Sequence, residues 1–217
     1  MNRNDVINAI LENKIIVILR GLTRDELLNT VRAIREGGIR CCEVTYDSTG
    51  HPTDEETAEN IRTLVEAFPD MYIGAGTVLT EKQVELTCSA GGMFIISPDT
   101  NTDVIRKTCE LGMVSIPGSL TPSEATLAKR TGADFVKLFP NGEMKPSYIK
   151  AVSVPLSHIR FLAVGGVNEN NAADYIRNGA VGIGVANGII NKEAIRAGKF
   201  AELTELAQKY VNALNRA

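Results

Sequence analysis

Apolar and polar residues follow a regular alternation along this chain, in which short apolar runs are separated by longer amphipathic segments. Apolar runs of four to eight residues that end at glycine or proline are typical of buried strands, and apolar residues at helical spacing indicate helices. After a helix over Asn4 to Glu12, the pattern predicts strands at 15–19, 39–45, 71–74, 93–96, 113–116, within 132–140, at 160–164 and at 181–185.

A helical segment follows each of these strands, at an average spacing of about 25 residues. Alternating βα units imply parallel strands joined by right-handed crossovers. Eight such units predict an α/β fold of the (β/α)8 TIM-barrel type, with an open doubly wound sheet as the alternative. The 217 residues fit one large domain better than two small ones, so we expect a single domain over residues 1–217.

Composition excludes several classes of function. The net charge of -3 and the lack of a Lys/Arg cluster argue against nucleic-acid binding. No apolar run approaches the roughly 20 residues that span a bilayer, and the N-terminal residues lack a signal peptide's apolar core, so we expect a cytoplasmic protein. The chain has four cysteines, none of them in a CxxC pair, and only two histidines, so it offers few ligands for a zinc site. We expect no metal and no cofactor.

The run from 132 to 140 carries one lysine, Lys137, among apolar neighbours. Period-two alternation places Lys137 on the same strand face as Phe135 and Phe139. A buried lysine loses part of its affinity for protons, which makes its amine a candidate nucleophile towards carbonyl groups. A structural ion pair, or a side chain that reaches the rim, is the alternative interpretation.

Glu43 is the second candidate, on the predicted second strand. Alternation groups it with Cys41 and Thr45 on one face, which we expect to line the barrel near the depth of Lys137. A carboxylate there could move protons for imine chemistry at Lys137, or the two groups could form an ordinary ion pair. Burial and a nearby carboxylate shift the pKa of the lysine in opposite directions, so the sequence leaves its net value open.

Two glycine-bearing loops follow the last two strands. Gly165-Gly166 comes after the seventh strand and Gly184 stands at the end of the eighth. Barrels often hold phosphate at this place, on backbone N–H groups and at a short extra helix, which we expect over Gly188 to Asn191. Turn formation alone is the alternative reason for these glycines.

Four further residues stand at strand ends. Arg20 ends the first strand and could bind a carboxylate with both of its terminal nitrogens, or it could be solvated. Thr77 could add a hydroxyl group to the site. Pro98 stops its strand, as Pro117 stops another, and we expect both to shape walls of the site.

The chain resembles the 2-keto-3-deoxy-6-phosphogluconate (KDPG) aldolase family, which is often bifunctional with 4-hydroxy-2-oxoglutarate (KHG) aldolase. The likeness covers nearly the whole length and lies in the motifs Glu43-Val44-Thr45, Gly74-Ala75-Gly76-Thr77-Val78-Leu79, Ile96-Ser97-Pro98, Ile116-Pro117-Gly118, Phe135-Val136-Lys137-Leu138-Phe139-Pro140 and Gly165-Gly166-Val167.

The resemblance assigns roles to the candidate residues. It implies that Lys137 forms a Schiff base with pyruvate and that Glu43 is the general acid and base. Thr77 would contact the pyruvyl part of the substrate, Phe139 would pack beside the imine, and Gly165-Gly166 would meet the phosphate.

The resemblance also implies an activity. We expect a metal-free class I aldolase, a carbon-carbon lyase of carbohydrate metabolism, that splits KDPG of the Entner-Doudoroff route into pyruvate and glyceraldehyde 3-phosphate. It could also split 4-hydroxy-2-oxoglutarate into pyruvate and glyoxylate. Its partners would be small-molecule substrates and two further copies in a homotrimer, with a hydrophobic flank near Phe94 as a possible interface.

Two positions depart from the family's pattern. Many members carry an arginine where this chain has Asp47, so the duty of binding the carboxylate would pass to Arg20. Many also carry a serine that touches phosphate where this chain has Ala186, so phosphate binding would be weaker or rest on the backbone. The galactonate-derived epimer and unphosphorylated hydroxyoxoglutarate are therefore alternative substrates. A sugar-phosphate epimerase or isomerase and a non-catalytic sugar-phosphate-binding barrel are alternative functions.

Overall fold

The computed structural model describes residues 2–142 and 144–217, in which parallel strands alternate with helices. The strands are β1 Ile15–Leu19, β2 Cys41–Thr45, β3 Tyr72–Gly76, β4 Phe94–Ile96, β5 Val114–Ile116, β6 Gly118–Ser119, β7 Val136–Leu138, β8 Phe161–Val164 and β9 Gly182–Val185. The helices are α1 Arg3–Asn13, α2 Arg24–Glu36, α3 Asp54–Ala67, α4 Glu81–Ser89, α5 Thr102–Glu110, α6 Pro122–Thr131, α7 Pro146–Ser153, α8 Ala172–Arg177, α9 Lys192–Arg196 and α10 Phe200–Asn215.

The strands form one sheet in the order β5-β4-β3-β2-β1-β9-β8-β7-β6. Its two outer members, β5 and β6, are halves of a single strand divided by Pro117, and they pair with β4 and β7 respectively. Proline has no N–H to donate, so the ladder is interrupted there. The Pro117 carbonyl still accepts a hydrogen bond from Lys137 N at 2.9 Å. The strand thus connects both edges of the sheet, which confirms the predicted (β/α)8 barrel.

Local sequence sets several helix starts. Thr23 Oγ1 accepts a hydrogen bond from Glu26 N, while Glu26 Oε2 accepts one from Thr23 N. The same reciprocal box begins α3 at Thr53 and α6 at Thr121. Each box satisfies N–H groups that the first helical turn leaves without partners.

The apolar core has two layers. One lies between the barrel and the outer helices, and the other fills the barrel interior. Val6 and Ile10 of α1 belong to the inner layer together with Phe135, so the N-terminal helix closes the bottom of the barrel.

Phe94 also lies in this inner layer and is fully buried. A Cβ on Gly74 would overlap its ring, so this glycine makes the space that the ring occupies. The expectation of a hydrophobic flank near Phe94 is therefore wrong, because the three residues of β4 alternate and Phe94 takes the inward position.

The segment after β9 also differs from expectation. Residues 187–189 form a turn, with Ile189 N and Ile190 N donating to the Ala186 carbonyl, and the short helix predicted over Gly188 to Asn191 is absent from the described structure. Helix α9 begins later, because Asn191 Oδ1 accepts hydrogen bonds from Glu193 N and Ala194 N and caps it. None of the helices in the described residues is both long and apolar enough to cross a lipid bilayer.

Candidate active site

A cavity of about 600 Å³ opens at the carboxyl ends of the strands. This is the end at which TIM barrels carry their active sites. Nine of the residues that the sequence proposes for the site line this cavity: Arg20, Glu43, Thr77, Pro98, Lys137, Phe139, Gly165, Gly166 and Gly184. Pro117, which we also expected to shape a wall, is not among the lining residues and instead divides the strand between β5 and β6.

Lys137 is at the centre of β7 and is only 6% exposed. Its Nζ lies 4.4 Å from the centroid of the Phe139 ring, as expected for two residues on one strand face. Burial lowers the pKa of Lys137, and Arg20 lowers it further, whereas Glu43 raises it. The net direction is downward, so the structure resolves the balance that the sequence leaves open.

Glu43 is on β2, fully enclosed in the barrel. Burial raises the pKa of its carboxyl group to about 7, against the lowering effects of Lys137 and Arg20. Its Oε2 atom has no hydrogen-bond partner among the described residues, and no ion pair within 4.0 Å joins it to Lys137. The alternative of an ordinary ion pair between the two residues is therefore wrong for this structure.

Gly76 explains how the carboxylate fits. A Cβ at this position would overlap Glu43 Oε1 and Cδ, so only a glycine leaves room for the side chain. Gly76 pairs with Thr45 across β2 and β3, which places it beside the end of the strand that carries Glu43. The role of this glycine is thus to position the acid.

Thr77 and Arg20 form a polar contact across the cavity. Arg20 Nη2 donates a hydrogen bond to Thr77 Oγ1 at 2.9 Å. Thr77 has a φ of 56°, in the left-handed region, which is strained for a β-branched residue. Strained backbone conformations of this kind cluster at functional sites.

The backbone requires glycine at both positions of the Gly165-Gly166 turn. Their φ values are 97° and 68°, and a Cβ on Gly166 would overlap Gly142 Cα. Turn geometry and close packing therefore account for both glycines. In addition, the N–H groups of Gly165, Gly166 and Val167 donate to no other group within the described residues, so they can bind an anion.

Gly184 has a different reason to be glycine. A Cβ at this position would lie 2.8 Å from Val164 Cγ2, so the missing side chain lets Val164 face the cavity. Pro98 forms part of the opposite wall, and its carbonyl packs directly on Gly118.

Eight further residues line the cavity, several of them in the loops where the sequence predicts a phosphate site: Ile18, Val164, Val167, Ala186, Asn187, Gly188, Ile190 and Lys192. Most are apolar or contribute backbone. Lys192 is the exception, because it brings a positive charge to the rim. The only signal in the sequence is a lysine shortly after the eighth predicted strand, and many surface lysines share it.

Comparison with known proteins gives a consistent result. The family model "KDPG and KHG aldolase" matches residues 6–206. The 2-dehydro-3-deoxy-6-phosphogalactonate aldolase of Escherichia coli (strain K12) is 36% identical over 206 residues, covering 94% of this chain and 95% of its own. The KHG/KDPG aldolase of the same strain is 31% identical over 183 residues, covering 83% and 82%.

A solved structure resembles the fold closely. KDPG aldolase from Legionella pneumophila, with pyruvate captured at low pH as a covalent carbinolamine intermediate, superposes with a TM-score of 0.82. It is 26% identical in sequence, and the match covers 94% of this chain and 96% of that one.

Proposed function

Because the chain belongs to the KDPG and KHG aldolase family, we propose that it cleaves 2-dehydro-3-deoxy-6-phosphogalactonate to pyruvate and glyceraldehyde 3-phosphate through a Schiff base on Lys137. One observation carries the chemistry. A lysine with a lowered pKa and a glutamate with a pKa raised to about 7 line the same cavity without an ion pair between them. An amine that must be neutral and a carboxyl group that must exchange protons near neutral pH need these two shifts.

Imine formation uses Lys137 as the nucleophile. Its neutral amine attacks the C2 ketone and forms a C–N bond, which gives a carbinolamine. Loss of the former ketone oxygen as water then leaves a protonated imine. Glu43 in its acid form gives the proton that the departing hydroxyl group needs. The Phe139 ring beside Lys137 Nζ stabilises the positive charge of the iminium by a cation–π interaction.

Carbon-carbon cleavage follows from the iminium. A carboxylate at Glu43 removes the proton of the C4 hydroxyl, the C3–C4 bond breaks, and its electron pair moves towards the iminium nitrogen to give an enamine. Glyceraldehyde 3-phosphate leaves. Glu43 then returns its proton to C3, and water hydrolyses the resulting iminium to pyruvate and free Lys137.

The rest of the cavity suits the two anionic ends of such a substrate. Arg20 and Thr77, which share a hydrogen bond, provide a cation and a hydroxyl group for the carboxylate. The free N–H groups at Gly165 and Gly166 suit the phosphate. Gly184 adds no side chain beside Val164, so it takes no space from the cavity. Pro98 bounds the pocket on the side of the pyruvyl group.

The galactonate-derived epimer has the better support among the family's substrates. The relative named for it is more similar to this chain, and over more of its length, than the KHG/KDPG aldolase of the same strain. The second candidate is the gluconate epimer, with 4-hydroxy-2-oxoglutarate as an additional substrate, because the family model bears both of those names.

Borohydride trapping tests the proposal. We expect pyruvate and borohydride to leave one reduced adduct, which peptide mass mapping locates on Lys137. Lys137→Ala should trap nothing, while Lys199→Ala, on an exposed lysine away from the cavity, should trap like the wild type. An adduct elsewhere, or none, would refute the mechanism. Values of kcat/KM for both epimers, with and without phosphate, then decide the substrate.

A further inference from the structure

Lys192 is a second cation at the rim of the active-site cavity. It is the first residue of α9, and its Nζ lies against Gly21, 2.8 Å from where a Cβ of that glycine would stand. Gly21 directly follows Arg20, and β1 pairs with β9. Lys192 therefore fills the space between the loop after β1 and the loop after β9.

Two other basic groups on or just after α9 have acidic partners. Arg196 lies 3.8 Å from Glu26, and Lys199 Nζ lies 3.4 Å from Glu202. Within residues 2–142 and 144–217, no acidic side chain lies within 4.0 Å of Lys192 Nζ. Its charge is thus available to a ligand in the cavity.

The distribution of charge in the cavity matches a substrate with two anionic groups. Arg20 donates a hydrogen bond to Thr77, the residue after β3, whereas Lys192 lies against Gly21 and begins the helix that follows the turn after β9. That turn contains Asn187 and Gly188, whose N–H groups donate to nothing else in the described part of the chain. Each anionic end of the substrate therefore has its own cation and its own set of neutral donors.

We propose that Lys192 binds the phosphate of the sugar-acid substrate and makes this enzyme prefer phosphorylated over unphosphorylated substrates. The proposal rests on the proposed function of the cavity. Ala186 brings no hydroxyl group to the turn after β9, and the ammonium group of Lys192 provides the missing donor with a full positive charge. A lysine at the rim can follow a mobile phosphate because its four-carbon stem is flexible.

Lys192→Gln tests this role, since it removes the charge from an exposed side chain and leaves the fold intact. We expect KM for the phosphorylated sugar acid to rise about 10- to 100-fold, the range for a lost charge-assisted hydrogen bond, with kcat within about twofold. Cleavage of the unphosphorylated analogue should not change. Lys199→Gln, the same substitution on a lysine outside the cavity, should leave both substrates unaffected.

Equal losses for both substrates, no loss for either, or the same loss in Lys199→Gln would overturn the proposal. Titration calorimetry with inorganic phosphate separates this outcome from a failure of the proposed function, because it needs no turnover. Weaker phosphate binding in Lys192→Gln supports the role of Lys192 even if neither substrate is cleaved. Unchanged binding, or no binding to the wild-type protein, refutes it.

Discussion

The charged side chains at the two ends of β7 differ in whether they have partners of opposite charge. Just before the strand, Asp134 accepts hydrogen bonds from Arg3 Nη2 at 2.8 Å, Arg3 Nε at 3.2 Å and Ser115 N at 2.9 Å. Three residues later Lys137 faces Glu43 in the cavity with no ion pair within 4.0 Å. The lower end of the barrel thus neutralises its charges, and the upper end leaves them without partners.

The difference separates stability from reactivity. A half-buried ion pair in which Asp134 Oδ2 accepts three hydrogen bonds ties α1 to the barrel, which favours the folded state. Enclosed charges without partners do the reverse. Folding shifts Glu43 towards its protonated form and Lys137 towards its neutral form. The protein is therefore less stable at neutral pH than it would be with apolar residues there, and the same shifts prepare the two groups for catalysis.

Replacing the lysine at the upper end should have the largest effect. In Lys137→Met we expect turnover to fall by at least about 10⁴-fold, because no imine can form without the amine. Stability at pH 7 should rise, since the substitution removes a desolvated amine. Steady-state kinetics and urea unfolding measure the two effects. A variant that keeps substantial activity would contradict the proposed role of Lys137.

Glu43→Gln should slow turnover by about 10²- to 10⁴-fold, the usual contribution of a general acid or base. Its effect on stability depends on pH. The carboxyl group ionises near 4.5 in the unfolded chain and near 7 in the folded protein, so wild-type stability is full below pH 4.5 and falls as pH rises towards 7. The stability of Glu43→Gln relative to the wild type should therefore increase between pH 4.5 and pH 7 and reach a gain of roughly 1–3 kcal/mol above pH 7.

Thermal unfolding of wild type and Glu43→Gln at pH 4 and pH 8 measures this difference. At pH 4 the two proteins should unfold at similar temperatures, because Glu43 is protonated in both states. If Glu43→Gln were more stable than the wild type by the same amount at pH 4 and at pH 8, ionisation of Glu43 would not be the cause of the difference. Pyruvate trapping on Lys137 should persist in the variant.

At the lower end of the barrel, Asp134→Asn should have the opposite effects: lower stability and unchanged activity. We expect stability to fall by roughly 1–3 kcal/mol, because Arg3 loses its charged partner at a site where the aspartate side chain is only 12% exposed. The values of kcat and KM should stay within about twofold of the wild type. Asp103→Asn is the matched control, since its pair with Arg106 is largely exposed and should contribute under about 0.5 kcal/mol.

The smallest effect concerns strain at the rim of the cavity. Thr77→Gly removes a β-branched residue from the left-handed region, so we expect stability to rise by up to about 1 kcal/mol. Loss of the hydroxyl group that Arg20 contacts should raise KM by about three- to tenfold. Thr77→Ser keeps the hydroxyl group and should keep KM. A fall in stability in Thr77→Gly would mean that the conformation is not strained.

Structural features that follow from residue patterns with a period of 2 or 3.6 residues could be predicted from the sequence. These patterns placed Lys137 and Phe139 on one face of β7 and Glu43 on the inner face of β2, as the cavity lining shows. The capping boxes that begin α2 and α6 likewise follow a local Thr-x-x-Glu spacing, at Thr23-Glu26 and Thr121-Glu124. Each of these features depends on neighbours a few residues away, so it is visible in one stretch of the chain.

Features that depend on distant contacts could not be predicted in the same way. The division of one strand at Pro117 follows from pairing with two different neighbours. The contact of Gly76 with Glu43 joins residues of two strands, and Lys192 reaches the cavity only because α9 packs beside the loop after β1. Nothing local distinguishes these residues from ordinary turn glycines and surface lysines.

The sequence by itself determined the alternation of strands and helices, the barrel, and which side chains face its interior, because strand and helix periods act over short distances. Only the tertiary structure decided how those side chains interact. It set the separation of Glu43 from Lys137, the direction of the pKa shift of each, and the position of Lys192 at the rim of the cavity. Desolvation and charge-charge energies depend on three-dimensional distances, which exist only once the barrel has closed.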